Sequence, residues 1–335
     1  FPLDLGARGS ATLGGNAATN AGGNRVIRYG MMREMVLGAE AVLADGTVIN
    51  SLSPLIKNNA GYDLKHLFVG SEGTLGVVTR LSLRLREAPV SRDMAFVALD
   101  SFDHVKALLR HMDQQLGGGL SAFETLWSDY YQLVTTKPAQ SRPPVPHGHD
   151  FYVLLEAQGA DAELDKQRFK MALESAFEQG LLVDAAVSQS EADCHAFWQI
   201  RDDVQQIFQL GTPLFFDVSL PIDRMSAYVD DVRSSLATTE ALAVYVFGHL
   251  GDGNLHFGIP LPSERAAALR PQIEACVYSP LAAFKGSVSA EHGIGLEKKP
   301  WLSVSRSPEE IALMKTLKRA LDPHNMLNPG KIFDV

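Results

Sequence analysis

Two short apolar runs separated by an Asp-Gly dipeptide most constrain how this chain can fold. Residues 241–247 (ALAVYVF) and 255–259 (LHFGI) are rich in β-forming side chains. Asp252-Gly253 between them favours a two-residue hairpin turn. Such a turn would pair residue 249 with residue 256. We therefore expect His249 and His256 to face each other across a hairpin.

Opposed side chains in a hairpin have Cβ atoms roughly 4.5 to 5.5 Å apart, a spacing at which two imidazoles can bind one divalent ion. We predict that His249 and His256 are metal ligands and that Glu291 is the third. Three protein ligands leave an open position for substrate or water, as catalytic sites do. His292, the next residue, is then available as a base. The alternative is that these histidines are satisfied by backbone groups of the hairpin and loops.

Composition and charge limit the class of protein. With 335 residues and 46% hydrophobic residues, the chain can form two domains with their own cores. Its net charge of −9 is spread without basic runs, which argues against nucleic-acid binding. Cys194 and Cys276 provide no disulfide framework and are typical of a reducing compartment. No apolar run approaches the roughly 20 residues of a membrane span, so we predict no transmembrane segment.

The first ninety residues are punctuated by glycine. Residues 12–23 contain small and amide side chains without a helical or strand period, which predicts a loop whose backbone approaches a phosphate or a flat ring, with a simple tight turn as the alternative. A hairpin is predicted around Asp45-Gly46. A half-buried strand is predicted over 79–86, because Leu and polar residues alternate there.

From Asp93 onward, β-like and helical stretches alternate, with helices predicted over 102–116, 122–134 and 191–210. The fold class is therefore α+β. We predict a first domain over 1–90, an α/β cap over 91–305 with an antiparallel sheet flanked by helices, and a C-terminal helix and tail over 306–335.

Six ordered motifs resemble one enzyme family: GGNAATNAGG at 14–23, GYDL at 61–64, GSEGTLG at 70–76, HLGDGNLH at 249–256, SAEHGIG at 289–295 and LNPGK at 327–331. Together they resemble the FAD-linked D-2-hydroxy acid dehydrogenases of the vanillyl-alcohol oxidase superfamily, which share a PCMH-type FAD-binding domain. Among these, the motifs are most similar to D-2-hydroxyglutarate dehydrogenases. D-lactate dehydrogenases and the glycolate oxidase catalytic subunit are near relatives.

The resemblance implies a cofactor, a metal and roles for individual residues. FAD is the implied cofactor, and the metal is Zn²⁺, with Mn²⁺ or Fe as alternatives, on His249, His256 and Glu291. His292 is implied to be the catalytic base. Arg201, which would pair with the substrate carboxylate, and Asn254 are the implied substrate-binding residues. The implied FAD contacts are Gly14, Gly15, Asn16, Thr19, Asn20, Gly22, Gly23, Glu72, Gly73, Gly76, Val78 and Asn328.

The implied reaction oxidises a D-2-hydroxy acid to the 2-keto acid, with hydride transfer to flavin N5 and proton transfer to His292. The first expected substrate is similar to D-2-hydroxyglutarate. Three positions depart from the pattern of the dehydrogenases for that acid: Phe215 replaces a lysine, Gln205 a threonine and Gly258 an asparagine. D-lactate or an apolar 2-hydroxy acid is therefore the alternative substrate.

The resemblance also implies partners and a setting. Electrons would pass to an electron-transfer flavoprotein, a cytochrome or a quinone, and a homodimer is compatible with the motifs. The compartment would be the bacterial cytoplasm or the mitochondrial matrix. The resemblance implies that residues 1–90 are the C-terminal portion of the flavin domain and that its upstream half does not appear in the sequence, so we expect a piece of a longer enzyme. The alternative is a truncated, non-catalytic metal-binding or partner subunit, against which the presence of His249, His256, Glu291 and His292 argues.

Overall fold

The computed structural model describes all 335 residues, which divide into two compact units. The first unit comprises residues 1–87 and 287–335, and the second comprises residues 88–286. Glu291 and His292, which we expected within the segment 91–305, belong to the first unit. None of the helices combines the length and the apolar character needed to cross a bilayer.

The N-terminal part of the first unit contains a small antiparallel sheet and four short helices. The sheet has the strand order β2-β1-β3. Its β1–β2 hairpin turns around Asp45-Gly46, as predicted. The elements are α1 (Leu13–Thr19), α2 (Val26–Tyr29), α3 (Met32–Met35), β1 (Val36–Val42), β2 (Val48–Ser51), α4 (Lys65–Phe68) and β3 (Val77–Leu83).

Helix α1 corrects the prediction of a loop over 12–23. The Oγ1 atom of Thr12 accepts a hydrogen bond from the Gly15 amide at 3.0 Å, which caps the first turn. Ala17 and Ala18 favour the helix, and Asn20 ends it in the left-handed conformation with φ of 51°. The capping hydrogen bond and the alanines therefore stabilise a helix here, although the glycines of the segment disfavour one.

The second unit contains a seven-stranded sheet with the order β7-β4-β6-β5-β9-β10-β8, in which every neighbouring pair is antiparallel. Its elements are β4 (Ser91–Leu99), α5 (Phe102–Leu116), β5 (Leu120–Trp127), α6 (Ser128–Thr135), β6 (Phe151–Gly159), α7 (Ala162–Glu178), β7 (Asp184–Val187), α8 (Glu191–Asp202), α9 (Gln205–Phe208), β8 (Thr212–Ser219), α10 (Met225–Leu236), β9 (Tyr245–His249), β10 (Asn254–Leu261), α11 (Ala266–Tyr278) and α12 (Leu281–Phe284). The α+β fold class is confirmed.

Two predicted helices of this unit need correction. Residues 120–127 form the central strand β5, and the helix that we predicted over 122–134 is confined to α6. All eight residues of β5 are buried, so the strand shows no alternation of apolar and polar positions. The predicted helix over 191–210 is interrupted between Asp202 and Gln205, where Asp203 leaves the helical conformation with ψ of 48°.

Helices cover both faces of the large sheet. On one face, Leu126 and Phe247 pack in one apolar cluster with Tyr130 of α6, Phe197 of α8 and Ile207 of α9. On the other face, Phe257 of β10 and Phe216 of β8 contact α10 and α11 through Tyr228 and Tyr278, with ring centroids 5.8 and 5.3 Å apart. The face covered by α6, α8 and α9 carries the residues of interest below.

The C-terminal part of the first unit consists of α13 (Leu302–Ser305), α14 (Pro308–Leu321) and a tail. Helix α14 is the helix that we predicted within 306–335, and it begins with a capping box formed by Ser307 and Glu310. Near its end, the buried ammonium of Lys318 donates to the carbonyls of Thr74 at 3.0 Å and Leu327 at 2.8 Å. Lys318 therefore ties the helix and the tail to the turn before β3.

Candidate active site

The histidine hairpin exists, but its register differs from the prediction. His256 pairs with Phe247, and the connection spans residues 250–253. Leu250–Asp252 form a 3₁₀ turn and Gly253 takes a φ of 86°, so the loop holds four residues and not two. His249 is therefore not directly opposite His256. The pairing is displaced by two residues from the predicted one.

The two histidines nevertheless lie close together. Successive side chains of a strand point to opposite faces, so a displacement by two residues leaves both rings on the same face. Their ring centroids are 5.2 Å apart, and the ring planes make an angle of 82°. The predicted proximity of His249 and His256 is confirmed.

Glu124, which the sequence analysis did not identify, contacts one of these histidines from the neighbouring strand. It pairs with His249 in the β5–β9 ladder, and its Oε1 atom lies 2.7 Å from His249 Nδ1. Its Oε2 atom accepts a hydrogen bond from Arg201 Nε at 2.8 Å. Burial alone would raise the pKa of Glu124, but the adjacent His249 and Arg201 outweigh it and lower the pKa to about 2. Glu124 is therefore an ionised carboxylate in the interior.

The carboxylate assigns the proton of the His249 ring. An ionised carboxylate only accepts hydrogen bonds, so Nδ1 carries a proton, and a guanidinium only donates, so the Nε2 atom that faces Arg201 carries a lone pair. A guanidinium nitrogen of Arg201, Nη2, lies 3.0 Å from Nε2 and donates to it. A ligand histidine in a metalloenzyme has this tautomer, with its second nitrogen bonded to a carboxylate. The His249 ring is thus prepared to act as an Nε2 ligand.

Arg201 is buried at the end of α8, although an arginine in that position of a helix is more often exposed. Its side chain is 9% exposed, and Tyr130 Oη donates to its backbone carbonyl at 2.9 Å. The guanidinium lies 5.3 Å from the centre of the Phe247 ring, and its Nη1 atom is 3.1 Å from Asp202. The predicted substrate-binding arginine therefore lies beside the predicted ligand His249.

Asn254, the other predicted substrate-binding residue, lies at the start of β10. It is 3% exposed, and neither polar atom of its side-chain amide has a hydrogen-bond partner in the structure. Buried amides without partners are rare in folded proteins, because the unpaired groups destabilise the fold. The exception suggests a ligand that would complete these bonds.

Glu291 and His292 lie in the first unit, in an irregular segment held by Glu72. The two carboxylate oxygens of Glu72 accept hydrogen bonds from the amides of Ile294 at 2.7 Å and Gly295 at 2.8 Å. Gly293, between His292 and Ile294, has a φ of 76°, and a Cβ atom there would lie 2.7 Å from Glu72 Oε1. The segment after His292 therefore requires glycine at this position and Glu72 beneath it.

The predicted FAD contacts all belong to the first unit. Gly14, Gly15, Asn16 and Thr19 lie on α1, with Asn20, Gly22 and Gly23 directly after it, while Gly73 and Gly76 lie in the turn before Val78 of β3. Asn328 of the tail donates from Nδ2 to the Glu72 carbonyl at 2.6 Å. The Glu72 amide donates to Ala18 at 2.8 Å. Glu72 thus joins α1, the tail and the His292 segment, while its contact with flavin stays a prediction.

Comparison with protein families identifies the chain. The family model of FAD linked oxidases, C-terminal domain, matches residues 88–332, and that of the FAD binding domain matches residues 1–51. The first match covers more than half of the chain. The chain belongs to the FAD-linked oxidases.

Curated members of this family are similar over the whole chain. The D-2-hydroxyglutarate dehydrogenases of Arabidopsis thaliana and Rattus norvegicus, both named mitochondrial, are 41% and 42% identical and match 99% of the chain. The chain spans 59% and 61% of their lengths. A protein of the same name from Xanthomonas citri pv. viticola is 40% identical over 100% of the chain and 71% of its own length.

Solved structures share the fold of this FAD-linked oxidase. The match to the 4-ethylphenol oxidase from Gulosibacter chungangensis covers 99% of this chain and 72% of the oxidase chain. Its TM-score is 0.72, and the sequences are 16% identical. The match to p-cresol methylhydroxylase covers 97% of this chain and 70% of the hydroxylase chain, with a TM-score of 0.69 and a sequence identity of 15%. These likenesses confirm the predicted PCMH-type architecture.

Sequence reasoning missed Glu124 and the positioning role of Glu72 in this family member. Glu124 lies 125 residues before His249, and the strand pairing that joins them cannot be inferred from either segment alone. One signal was present, since Glu124 is the only charged residue between Leu120 and Trp127. A charged residue in such a stretch needs a buried partner.

Proposed function

We propose that this chain forms the substrate side and part of the flavin side of an FAD-dependent dehydrogenase that oxidises a D-2-hydroxy acid to the 2-keto acid. The observation that carries the proposal is the buried arrangement of Glu124, His249 and Arg201 beside His256. The relatives named D-2-hydroxyglutarate dehydrogenase support the same activity and suggest an acidic substrate. We take D-2-hydroxyglutarate as the reference substrate.

The donor set fits a divalent metal. Two imidazole nitrogens and a carboxylate suit Zn²⁺, with Mn²⁺ or Fe as alternatives. We propose His249, His256 and Glu291 as its ligands. When bound, the cation would polarise the 2-hydroxyl of the substrate and FAD would accept the hydride from its C2 carbon.

Four side chains of the chain take the other roles in proton transfer and substrate binding. His292 removes the hydroxyl proton as general base. Arg201 gives up its bond to His249 Nε2 when the site is loaded, and its guanidinium becomes available to the substrate carboxylate, which it suits as a planar, bidentate donor. Glu124 keeps the proton of His249 on Nδ1 throughout. Asn254 offers its unpaired amide to the substrate.

FAD would be held by the predicted contacts of the first unit. The His292 segment belongs to that unit and is fixed by Glu72, so the base would be positioned by the same elements that hold the flavin. The reduced flavin would pass its electrons to an electron-transfer flavoprotein, a cytochrome or a quinone. The substrate is a small molecule, and we propose no nucleic-acid partner.

Metal content tests this proposal directly. Elemental analysis of protein purified without chelator should find close to one divalent ion per chain, and His256→Ala should lose it. His195→Ala, which replaces an exposed histidine of α8, should retain the ion. His292→Ala should keep the ion and the flavin while kcat falls by about 10²- to 10⁴-fold. A metal-free wild type, or a His292→Ala enzyme with unchanged turnover, would refute the proposal.

A further inference from the structure

Gly22, one of the predicted FAD contacts, lies against the side chain of Glu291, the predicted third metal ligand. Both residues belong to the first unit, and Gly22 is buried. A Cβ atom at Gly22 would lie 3.0 Å from Oε1 of Glu291. This distance is shorter than the separation at which non-bonded heavy atoms attract each other most strongly. The lack of a side chain at position 22 therefore leaves room for the Glu291 carboxylate.

The space beside Gly22 is closed by two apolar side chains as well. The same Cβ atom would lie 3.4 Å from Cε of Met31 and 3.4 Å from Cγ2 of Val26. These are ordinary contact distances between apolar groups, so neither side chain leaves a gap that a methyl group could fill. A methyl group at position 22 would therefore press on the one atom that is too close, the Glu291 oxygen.

The loop that carries Gly22 is fixed by backbone hydrogen bonds on both sides of this residue. On one side, the Met32 amide donates to the Ala21 carbonyl at 2.9 Å. On the other side, the Asn24 amide donates to the Asp4 carbonyl at 2.9 Å. Breaking a buried hydrogen bond destabilises the fold more than a small side-chain rotation does. The loop therefore does not move away from the carboxylate to admit a methyl group.

The segment that carries Glu291 is also fixed on both sides. Two residues before Glu291, the hydroxyl of Ser289 accepts a hydrogen bond from Lys298 Nζ at 3.1 Å. Three residues after it, the amide of Ile294 donates to the Glu72 carboxylate at 2.7 Å. With both backbones held, only the side-chain torsions of Glu291 can adjust to a methyl group at position 22. Their rotation displaces the carboxylate.

Displacement of the carboxylate matters because a metal ligand must lie at a fixed distance. Carboxylate oxygens bind Zn²⁺ at about 2.0 to 2.2 Å, and a site residue must be held within roughly 0.5 Å of its productive position. A Cβ contact of 3.0 Å requires the neighbour to give by a few tenths of an ångström. The shift that a methyl group would impose is thus of the size that a ligand position does not tolerate well.

We infer that Gly22 is a positioning residue for the metal ligand Glu291: it holds the place of the carboxylate, and a side chain at position 22 weakens metal binding. The inference rests on the proposed function, in which Glu291 is a ligand. This role differs from the flavin contact that the resemblance implies for the same residue.

Zinc affinity and flavin content of the full-length enzyme distinguish these two roles of Gly22. The affinity is measured by titrating metal-stripped, flavin-loaded enzyme with Zn²⁺. Gly22→Ala should weaken zinc binding by about tenfold, as the loss of a group that orients a ligand typically does. The amount of FAD bound per chain should stay as in the wild type.

Gly119→Ala is the matched control, because it introduces an equally close contact away from the proposed ligands. A Cβ atom at Gly119 would lie 3.0 Å from the carbonyl oxygen of Leu116, in the second unit. This variant should lose stability and keep its zinc affinity within about twofold of the wild type, as expected of an independent site.

A double-mutant cycle tests the contact itself. Glu291→Asp shortens the side chain by one methylene group, which withdraws the carboxylate from position 22. This change should weaken zinc binding on its own, and the addition of Gly22→Ala should then have little further effect. Two residues that do not interact would instead show additive losses of binding free energy.

The outcomes separate the inference from the proposed function. Unchanged zinc affinity in Gly22→Ala would overturn the inference while preserving the metal site, and a loss of FAD in that variant would then support the flavin contact. Additive losses in the cycle would also overturn it, whatever the flavin content. A wild-type enzyme that binds no divalent ion would refute the proposed metal site, and the inference with it.

Discussion

Replacing Glu124 by glutamine should change the proton position on His249 without changing the volume of the side chain. In the structure, one carboxylate oxygen accepts from His249 Nδ1 at 2.7 Å and the other from Arg201 Nε at 2.8 Å. A glutamine offers one acceptor and one donor in place of two acceptors. One of the two partners must therefore become an acceptor.

Only the histidine can make that change. A guanidinium carries donors alone and stays protonated in proteins, so Arg201 takes the amide oxygen of the new glutamine. The amide nitrogen then faces His249 Nδ1, which must accept, and the ring proton moves to Nε2, where it displaces the hydrogen bond from Arg201 Nη2. The lone pair proposed for the metal is lost from the favoured tautomer.

The expected loss of zinc affinity follows from the role of Glu124 as the hydrogen-bond acceptor of the proposed ligand His249. Loss of such a partner typically lowers metal affinity by about 10- to 100-fold, which is about 1.4 to 2.7 kcal/mol of binding free energy. Folding stability should fall as well, because Arg201 keeps a buried charge with a weaker partner.

Isothermal titration of the apoprotein with Zn²⁺ measures the effect, and Glu156→Gln is the matched control. Glu156 is equally buried on the same sheet, but Ser121 Oγ and Trp198 Nε1 donate to it at 2.7 and 3.1 Å. Glu156→Gln should lower stability and leave zinc affinity within about twofold. The reasoning fails if Glu124→Gln binds zinc as tightly as the wild type does.

Three further predictions concern charged side chains that are held by hydrogen bonds or ion pairs. Lys318→Met should lower the free energy of unfolding by about 3 to 5 kcal/mol in urea titrations, because Asp322, 1% exposed, would lose its buried partner. The double variant Lys318→Met/Asp322→Leu should recover much of the lost stability. Glu72→Ala should speed hydrogen exchange at the amides of Ile294 and Gly295, which lose their acceptors, and normal protection there would contradict the role given to Glu72. The pKa of Glu124 falls from 4.5 to about 2 on folding. Its ionised form therefore contributes fully to folding stability above pH 4.5, and this contribution is lost as the pH falls towards 2. Urea titrations between pH 5 and 2.5 should then show a steeper loss of stability for the wild type than for Glu124→Gln, and parallel curves would count against the lowered pKa.

The elements that the sequence predicted well carry their own local signals. Helix α5 begins after Ser101, whose hydroxyl accepts from the His104 amide at 3.2 Å, and its buried positions recur at helical spacing. Helix α14 has a capping box and a proline at its first position. Strand β5 has no such signal, because all of its residues are buried and its apolar and polar side chains do not alternate, so its sequence cannot be distinguished from that of a buried helix.

The prediction of the histidine pair survived an incorrect register for a physical reason. The four-residue loop 250–253 displaces the pairing of β9 and β10 by two residues, and the side-chain period of a strand is also two. His249 and His256 therefore kept a common face. A displacement by one residue would have moved one ring to the opposite face, where Phe257 packs against Tyr228 of α10. Whether the two rings can meet therefore depends on whether the register is displaced by an even or an odd number of residues, and not on the type of turn.

The same reasoning could not predict Glu124. Its position beside His249 depends on which strand pairs with β9 on the other side, and the turn between β9 and β10 contains no information about that neighbour.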